Sequence, residues 1–243
     1  MKEIKEKLDK LRAYYNRVEF IDTDPVQFPH RYTRLQDVEI VSFLVATISW
    51  GRRPLILQSA EKMLALMGDS PYDFVMNEGY MDLGEANIHR TFFEHDLFYY
   101  CKGLHALYSD YSSLEAIFVQ SSSLWEGINL FRAHILAANG GVDTKHISNP
   151  AKNSACKRLF MALRWLVRKD GIVDLGVWER ISPAQLYIPL DTHVARVSRE
   201  LGLLQRKSND RKAVEELTQN LRKLDSTDPI SYDFALFGWG EDR

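Results

Sequence analysis

The sequence predicts an all-α protein, and three observations support that prediction. Apolar residues recur at intervals of three and four through most of the 243 residues, which is the spacing of helices with one buried face. Proline or glycine stands in most of the gaps between these periodic runs, as expected where helices begin and end. No run of strand length alternates between apolar and polar residues. A fold built from helices is therefore expected.

The helices can be assigned in chain order from this spacing. The chain begins with a mixed-charge helical run, and a core helix follows at 38–48, where apolar residues recur from Val38 to Ile48. Pro54 begins the next helix and Gly68 ends it, because proline suits the first helical turn and glycine suits the position after the last. Further helices are predicted at 90–107, 124–138, 153–168, 192–202, 211–224 and 229–237.

The composition excludes several classes of protein. Hydrophobic residues make up 45% of the chain and charged residues 26%, which are ordinary values for a folded domain and not those of a disordered chain. No stretch reaches the roughly 18 uninterrupted apolar residues of a membrane span, so no membrane partner is expected. Cys101 and Cys156 are too few for a disulfide framework, a four-cysteine zinc site or a four-cysteine iron–sulfur cluster. The N-terminal residues lack the pattern of a secretion signal, so a cytoplasmic protein is expected.

Charge is unevenly placed along the chain, although the formal net charge is only -2. Residues 73–96 contain six acidic residues and one arginine, whereas residues 144–169 contain no acidic residue. On a helical wheel, Lys157, Arg164 and Arg168 of the acid-free stretch fall within about 40° of one another. Such a basic stripe can bind a polyanion whatever the net charge of the protein. The alternative is a solvated face that pairs with acids elsewhere in the fold.

Lys157 and Asp191 are the two candidates for chemistry. Lys157 lies at the N-terminal end of the basic stripe, where the helix dipole and the neighbouring Arg158 and Arg164 disfavour its ammonium form. A free amine is what nucleophilic attack needs. The alternative is a lysine that binds phosphate or lies on the surface. Asp191 comes just before the apolar run at 192–202, in the position of a helix cap.

Several segments resemble known DNA repair proteins. Residues 190–194, Leu-Asp-Thr-His-Val, resemble the aspartate segment of the helix-hairpin-helix DNA glycosylases, the superfamily of endonuclease III and 8-oxoguanine glycosylase. Residues 40–49 are similar to the apolar helix that begins the same domain, and residues 50–53 stand where those enzymes carry a DNA-facing loop. Residues 154–165, 188–193 and 228–236 more closely resemble DUF2400, a largely uncharacterised bacterial family grouped with that superfamily as base-excision-repair-like.

The resemblance implies a single glycosylase-like unit, residues 1–243, made of two interleaved helical lobes that binds DNA as a monomer. Lys157 would be the nucleophile and Asp191 its partner, which in the superfamily both caps its helix and serves catalysis. Trp165 could stack on a flipped base, although a core position is the commoner use of tryptophan. The expected partner is double-stranded DNA with a damaged base, such as an oxidised purine, in the bacterial nucleoid, and no cofactor or metal is expected. The residues expected to contact DNA are Arg52, Arg53, Lys152, Arg158, Arg164, Arg168 and His193.

The chain departs from the superfamily pattern in the hairpin before Lys157. Residues 149–154 replace the usual Leu-Pro-Gly-Val-Gly, whose glycines let backbone N–H groups approach a DNA phosphate. Lys157 and Asp191 are 34 positions apart, a separation too long for endonuclease III. It is similar to that of the archaeal 8-oxoguanine glycosylases, whose hairpin is also atypical.

Two other functions remain open from the sequence. One is a catalytically inactive DNA-binding protein of the same fold, which the missing hairpin glycines favour. The other is a metal-dependent phosphohydrolase of the HD type, because His30, His95, Asp96 and Asp191 follow the order of its metal ligands. Seven histidines make that order easy to meet by chance.

Overall fold

A computed structural model describes residues 1–243, and it confirms the all-α prediction. The chain forms twelve α-helices, several short 3-10 turns and one two-stranded antiparallel sheet. The helices are α1 (Lys2–Tyr15), α2 (Glu19–Thr23), α3 (Leu35–Ile48), α4 (Arg53–Met67), α5 (Pro71–Met76), α6 (Glu94–Asp110), α7 (Glu115–Val119), α8 (Leu124–Ala138), α9 (Lys157–Val167), α10 (Thr192–Glu200), α11 (Arg211–Arg222) and α12 (Asp233–Glu241). The strands are β1 (Asn87–His89) and β2 (Phe92–Phe93). None of the helices is both long and apolar enough to cross a membrane.

The chain divides into two compact units. Met1–Asp22 and Ser148–Arg243 together form one of them, which we call the terminal unit. Thr23–Ile147 form the other, which we call the central unit. The two ends of the chain therefore belong to the same unit.

The core of the central unit is built around α3. Every residue of this helix from Asp37 to Ile48 is buried, as its long apolar run requires. Phe43 stacks against Phe131 of α8, with 4.8 Å between the ring centroids. Four residues in this run are polar, Asp37, Glu39, Ser42 and Thr47, and the carboxylate of Glu39 accepts a hydrogen bond of 2.8 Å from the Tyr108 hydroxyl. This buried acid is therefore satisfied within the unit, as buried polar groups must be.

The helices α6 and α8 of the central unit approach closely because α6 carries glycine at the crossing. A Cβ atom added to Gly103 would lie 2.6 Å from Cγ2 of Ile135, well inside ordinary contact distance. Any larger side chain at this position would push the two helices apart. Gly103 is therefore required by packing, although glycine weakens a helix interior.

The terminal unit is built from α1, α9, α10, α11 and α12. Helix α9 is almost wholly buried, and it ends where Arg168 takes an extended conformation with φ -74° and ψ 128°. The Trp165 carbonyl at its end accepts hydrogen bonds from Leu175 and Gly176, so the chain that follows α9 packs back along the end of the helix. Helix α12 packs against both α1 and α10.

The largest error of the sequence-based assignment lies at residues 87–93. The sequence predicts a helix from residue 90, but the chain instead forms the β1–β2 hairpin with Asn87 opposite Phe93. Arg90 adopts a left-handed conformation with φ 51°, which turns the chain back on itself. Helix α6 begins only at Glu94, where the Asp96 carboxylate accepts a hydrogen bond of 2.9 Å from the Phe93 amide. The helices α2, α5 and α7, at most six residues long, are also absent from the sequence-based assignment.

Candidate active site

Lys157 is the first residue of α9, in the terminal unit. The preceding Cys156 is left-handed with φ 50°, and no side chain caps the start of the helix. Lys157 is half-buried, and its amine forms neither a hydrogen bond nor an ion pair within the protein. The amine is therefore not tied to a carboxylate and remains available to react.

Asp191 lies immediately before α10 and caps it. Its Oδ1 atom accepts a hydrogen bond of 2.8 Å from the Val194 amide, which satisfies one of the free N–H groups at the start of the helix. Its Oδ2 atom has no hydrogen-bond partner in the protein. Asp191 is half-buried, so this oxygen can meet a bound molecule. The helix cap therefore uses only Oδ1 of the carboxylate, and Oδ2 remains available to interact with a substrate.

Asp233 joins these two residues, although the sequence did not single it out. It is the first residue of α12, its side chain is 7% exposed, and its Oδ2 atom accepts a hydrogen bond from Nη1 of Arg164. Burial raises the pKa of Asp233 to about 6, against the lowering effect of Arg164. The negative charge of Asp191 raises this pKa further, and the positive charge of Lys157 lowers it. The charges of Lys157 and Asp191 therefore both act on Asp233, and each of the three residues lies at the start of a different helix.

Arg164 connects Asp233 to a buried network of charges. Its Nε atom donates a hydrogen bond of 3.2 Å to Asp174, whose side chain is fully buried. Arg168 donates to the other oxygen of Asp174 and binds Asp228 through Nε and Nη2, each at 2.8 Å. Burial raises the pKa of Asp174 against the opposing effect of both arginines. Burial disfavours the charged form of Arg168, but its carboxylate partners outweigh that effect and raise its pKa.

This network corrects the prediction of an exposed basic stripe on α9. The side chains of Arg164 and Arg168 are only 6% and 3% exposed, and both guanidinium groups are paired with aspartates. They cannot reach a DNA phosphate without breaking buried ion pairs, so their assignment to DNA contact is wrong. The alternative offered by the sequence was that the basic face pairs with acidic residues elsewhere in the fold. It is correct for these two arginines in their pairing. Only Lys157 of the three stripe residues keeps partial exposure.

The prediction of a base-stacking role for Trp165 is also wrong. Its side chain is fully buried in the core of the terminal unit, so it has no exposed face for a base. Its indole N–H has no hydrogen-bond partner, which is an uncommon cost for a buried tryptophan.

The structure places His193 against α12. Its Nδ1 atom lies 2.9 Å from the carbonyl oxygen of Gly240, which Arg196 also contacts at 2.7 Å. One ring nitrogen of His193 is therefore engaged within the protein. The side chain of His193 is half-buried, and Nε2 is the ring nitrogen that remains for the predicted DNA contact.

Four predicted DNA-contacting residues keep exposed or partly exposed positions. Arg52 is exposed just before α4, and Arg53 is the partly exposed first residue of that helix, both in the central unit. Lys152 is exposed at the end of the 3-10 turn Pro150–Lys152, and Arg158 is half-buried in the first turn of α9, both in the terminal unit. Surface cations of this kind suit contacts to a phosphate backbone.

The segment before α9 makes a turn without the expected glycines. Asn153 takes the left-handed conformation with φ 59°, and its side chain donates a hydrogen bond of 3.1 Å to Asp210 at the start of α11. Cys156 takes the same conformation with φ 50°. Asparagine tolerates this region better than most residues, whereas cysteine rarely adopts it. The backbone geometry usually supplied by glycine is therefore present, held by contacts to α11 and by burial.

The phosphohydrolase alternative gains no support from the structure. No group of three or more histidine, cysteine, aspartate or glutamate side chains is arranged to hold a metal ion. His95 lies beside Glu85 and Asp96, whereas Asp191 caps α10. The contact that Asp191 makes is therefore separate from those of His95 and Asp96.

Comparison with known proteins gives one match. Residues 24–242 match the model of a family described as "Protein of unknown function (DUF2400)". No curated protein and no solved structure matches the chain.

Proposed function

We propose that this chain, which belongs to the DUF2400 family, is a DNA glycosylase that removes a damaged base. The observation that carries the proposal is that Lys157 and Asp191, the two residues of the resembled motif, each keep one reactive atom without a partner in the protein, Nζ and Oδ2 respectively. A lysine nucleophile needs an amine that no ion pair holds. Oxidised purines are the first substrates to test, because the spacing of Lys157 and Asp191 is similar to that of archaeal 8-oxoguanine glycosylases.

Asp191 would stabilise the positive charge that develops on the sugar as the glycosidic bond breaks. Its Oδ2 atom is the candidate, because Oδ1 is held by the Val194 amide. That hydrogen bond also fixes the carboxylate in place, so little reorganisation is needed when the charge forms. Lys157 would attack the anomeric carbon and form a Schiff base, which permits strand cleavage by β-elimination.

DNA binding would rest on the exposed and partly exposed basic residues. The candidates that the structure leaves accessible are Arg52, Arg53, Lys152 and Arg158. The logarithm of DNA affinity falls linearly with the logarithm of salt concentration, and removing one lysine or arginine that binds a phosphate should make this slope shallower by about 1. Arg52→Ala should show the shallower slope equally on damaged and undamaged duplexes, because phosphate contacts carry no sequence information. The proposed partner is double-stranded DNA in the cytoplasm, bound by a monomer.

Borohydride trapping on a panel of lesions tests the proposal. Duplexes containing 8-oxoguanine, other oxidised bases or an abasic site are incubated with protein and reduced, and covalent complexes are separated by denaturing electrophoresis. We expect a complex with wild type, none with Lys157→Ala, and an unchanged yield with the exposed control Lys169→Ala. Equal trapping by wild type and Lys157→Ala, or no trapping on any lesion, would contradict the proposed lysine chemistry.

A second candidate is a DNA-binding protein without base excision. The observation that favours it is that residues 149–154, just before α9, contain no glycine that would allow close approach to a phosphate. This candidate predicts salt-dependent binding with no base release and no trapped complex. Base release measured by chromatography separates it from a glycosylase that does not cut the strand.

A further inference from the structure

Two successive residues of the β1–β2 hairpin hold two successive residues of the loop before α4. Nε2 of His89 lies 2.9 Å from the carbonyl oxygen of Trp50, and Nδ1 of His89 lies 2.8 Å from Oγ of Ser59. Because a carbonyl only accepts hydrogen bonds, Nε2 of the neutral ring carries the proton, and Nδ1 accepts a hydrogen bond from the Ser59 hydroxyl. The buried His89 therefore fixes the backbone of the loop at Trp50.

The next hairpin residue, Arg90, lies against Gly51 of the same loop. A Cβ atom added to Gly51 would lie 2.6 Å from Nη1 of Arg90 and 3.7 Å from its Cζ atom. The guanidinium group therefore occupies the space into which a larger residue would place its side chain. Gly51 has φ 97°, which glycine adopts without strain, and Arg90 itself is left-handed with φ 51°.

The side chain of Arg90 is exposed and has no hydrogen-bond or ion-pair partner in the protein. Its surroundings in the sequence are acidic, because residues 73–96 contain six acidic residues and no other lysine or arginine. Nearby carboxylates bind other groups instead. Glu85 pairs with a histidine of α6, and Glu94 accepts a hydrogen bond of 2.7 Å from the Gly84 amide. The fold therefore leaves this guanidinium group without a counterion.

Arg52 is a second cation of the loop that has no partner. It follows Gly51 directly, its side chain is exposed, and it forms no hydrogen bond or ion pair in the protein. The hairpin thus brings the guanidinium group of Arg90 to a loop that already carries an unpaired arginine. Cations without a counterion in the protein favour an anion from outside it. The fork of N–H groups on a guanidinium suits the oxygens of a phosphate.

We infer that Arg90 binds a phosphate of the DNA backbone from its place on Gly51, in addition to the contact proposed for Arg52. This inference rests on the proposed binding to DNA. It adds a contact from a hairpin that lies outside the segments suggesting DNA binding. Gly51 acts through Arg90, and it is therefore a positioning residue.

The salt dependence of binding to an undamaged duplex tests the role of Arg90. Arg90→Ala should make the slope of log affinity against log salt shallower by about 1. The ratio of wild-type to variant affinity should therefore fall by about 3-fold to 4-fold as salt rises from about 50 to 200 mM. Lys102→Ala is the matched control, because it removes an exposed cation on α6 of the same unit, and it should leave the slope unchanged.

Gly51→Ala tests whether Arg90 acts from its place on the loop. Alanine would displace the guanidinium group without removing a charge, and affinity should fall by about 10-fold, the usual loss of a hydrogen bond to a charged group. Because alanine at φ 97° also strains the loop, the same change is made in Arg90→Ala. We expect a smaller effect there, since the group to be displaced is absent. Equal effects in both backgrounds would overturn the positioning by Gly51.

Inorganic phosphate distinguishes DNA from a small anion as the occupant of this site. In protein labelled at arginine, the Nε–H signal of Arg90 is assigned by its disappearance in Arg90→Lys and is followed by NMR at constant ionic strength. We expect duplex DNA to shift this signal and inorganic phosphate at the same concentration to leave it in place. A shift that saturates with phosphate but does not appear with DNA would overturn the inference.

The outcomes separate this inference from the proposed function. If Arg90→Ala binds the duplex with the wild-type affinity and slope, the inference is overturned, and the glycosylase proposal still depends only on trapping. If Arg90→Ala has the shallower slope but wild type traps no lesion, the inference stands and the lysine chemistry fails. If wild type binds no duplex at all, both fail.

Discussion

Replacing Asp233 by asparagine should stabilise the terminal unit at neutral pH. Burial raises the pKa of this carboxyl from 3.8 to about 6, so ionising it costs more in the folded protein than in the unfolded chain. A shift of about 2 units corresponds to about 3 kcal/mol. The folded state binds more protons than the unfolded state between these two values, so the free energy of unfolding falls as the pH rises from about 4 to 6. Asparagine has the same shape and no charge to ionise, and it escapes this destabilisation.

We therefore expect the free energy of unfolding of Asp233→Asn to lie within about 1 kcal/mol of the wild-type value near pH 4. Near pH 7 it should be about 3 kcal/mol higher than the wild-type value. Urea titrations read by pulse hydrogen exchange of peptides from α9 and α12 confine the measurement to this unit. Asp210→Asn is the control of opposite sign, because the Arg206 side chain lowers the pKa of Asp210 to about 2. If the free energies of unfolding of Asp233→Asn and wild type differ by the same amount from pH 4 to 7, the raised pKa of Asp233 is not the cause of the difference.

Three further predictions concern packing, the charge network and the helix cap. Arg168→Ala should lower the free energy of unfolding by about 3–5 kcal/mol in urea titrations, because Asp174 is fully buried and would keep only Arg164 as a charged partner, and a decrease below about 1 kcal/mol would contradict this. Gly103→Ala should lower the free energy of unfolding by about 1–3 kcal/mol through overpacking against Ile135, despite the better helix propensity of alanine. If this packing is the cause, adding Ile135→Val should restore part of the lost stability. Asp191→Ala should cost about 1 kcal/mol by removing the cap, whereas Asp191→Asn should keep the cap, and retention of trapping by Asp191→Asn would reduce Asp191 to a structural role.

The long helices were predictable because their apolar residues repeat with the helical period. Helix α3 was expected at 38–48 and forms at Leu35–Ile48, and α8 forms where it was expected. The β1–β2 hairpin was missed because its strands are only three and two residues long, too short to show alternation. Its turn depends on the left-handed conformation of Arg90. Glycine or asparagine at that position would have indicated such a turn, but arginine does not.

The candidate site was only partly predictable. Lys157 and Asp191 were chosen as candidates from their positions at helix starts and from the family resemblance, both of which are local properties of the sequence. The burial of Arg164 and Arg168 was not predictable, because a helical wheel shows which residues share a face but not what covers it. The aspartates that pair with them come from later parts of the chain.

Asp233 was missed for the same physical reason. In the sequence it is one acid at the start of an apolar helix, where a stabilising interaction with the helix dipole is the ordinary explanation. Burial raises its pKa, and the charges of Arg164, Asp191 and Lys157, which act on it as well, come from other elements. Only the tertiary structure brings them together.

Mapping the trapped residue is the most direct test of the glycosylase account. After borohydride reduction on abasic or 8-oxoguanine DNA, nuclease and protease digestion leaves a sugar remnant on one peptide, which mass spectrometry can locate. The account predicts the remnant on Lys157, at the start of α9. A remnant on Lys152, on Lys169 or on the N-terminal amine, with Lys157 unmodified, would contradict it.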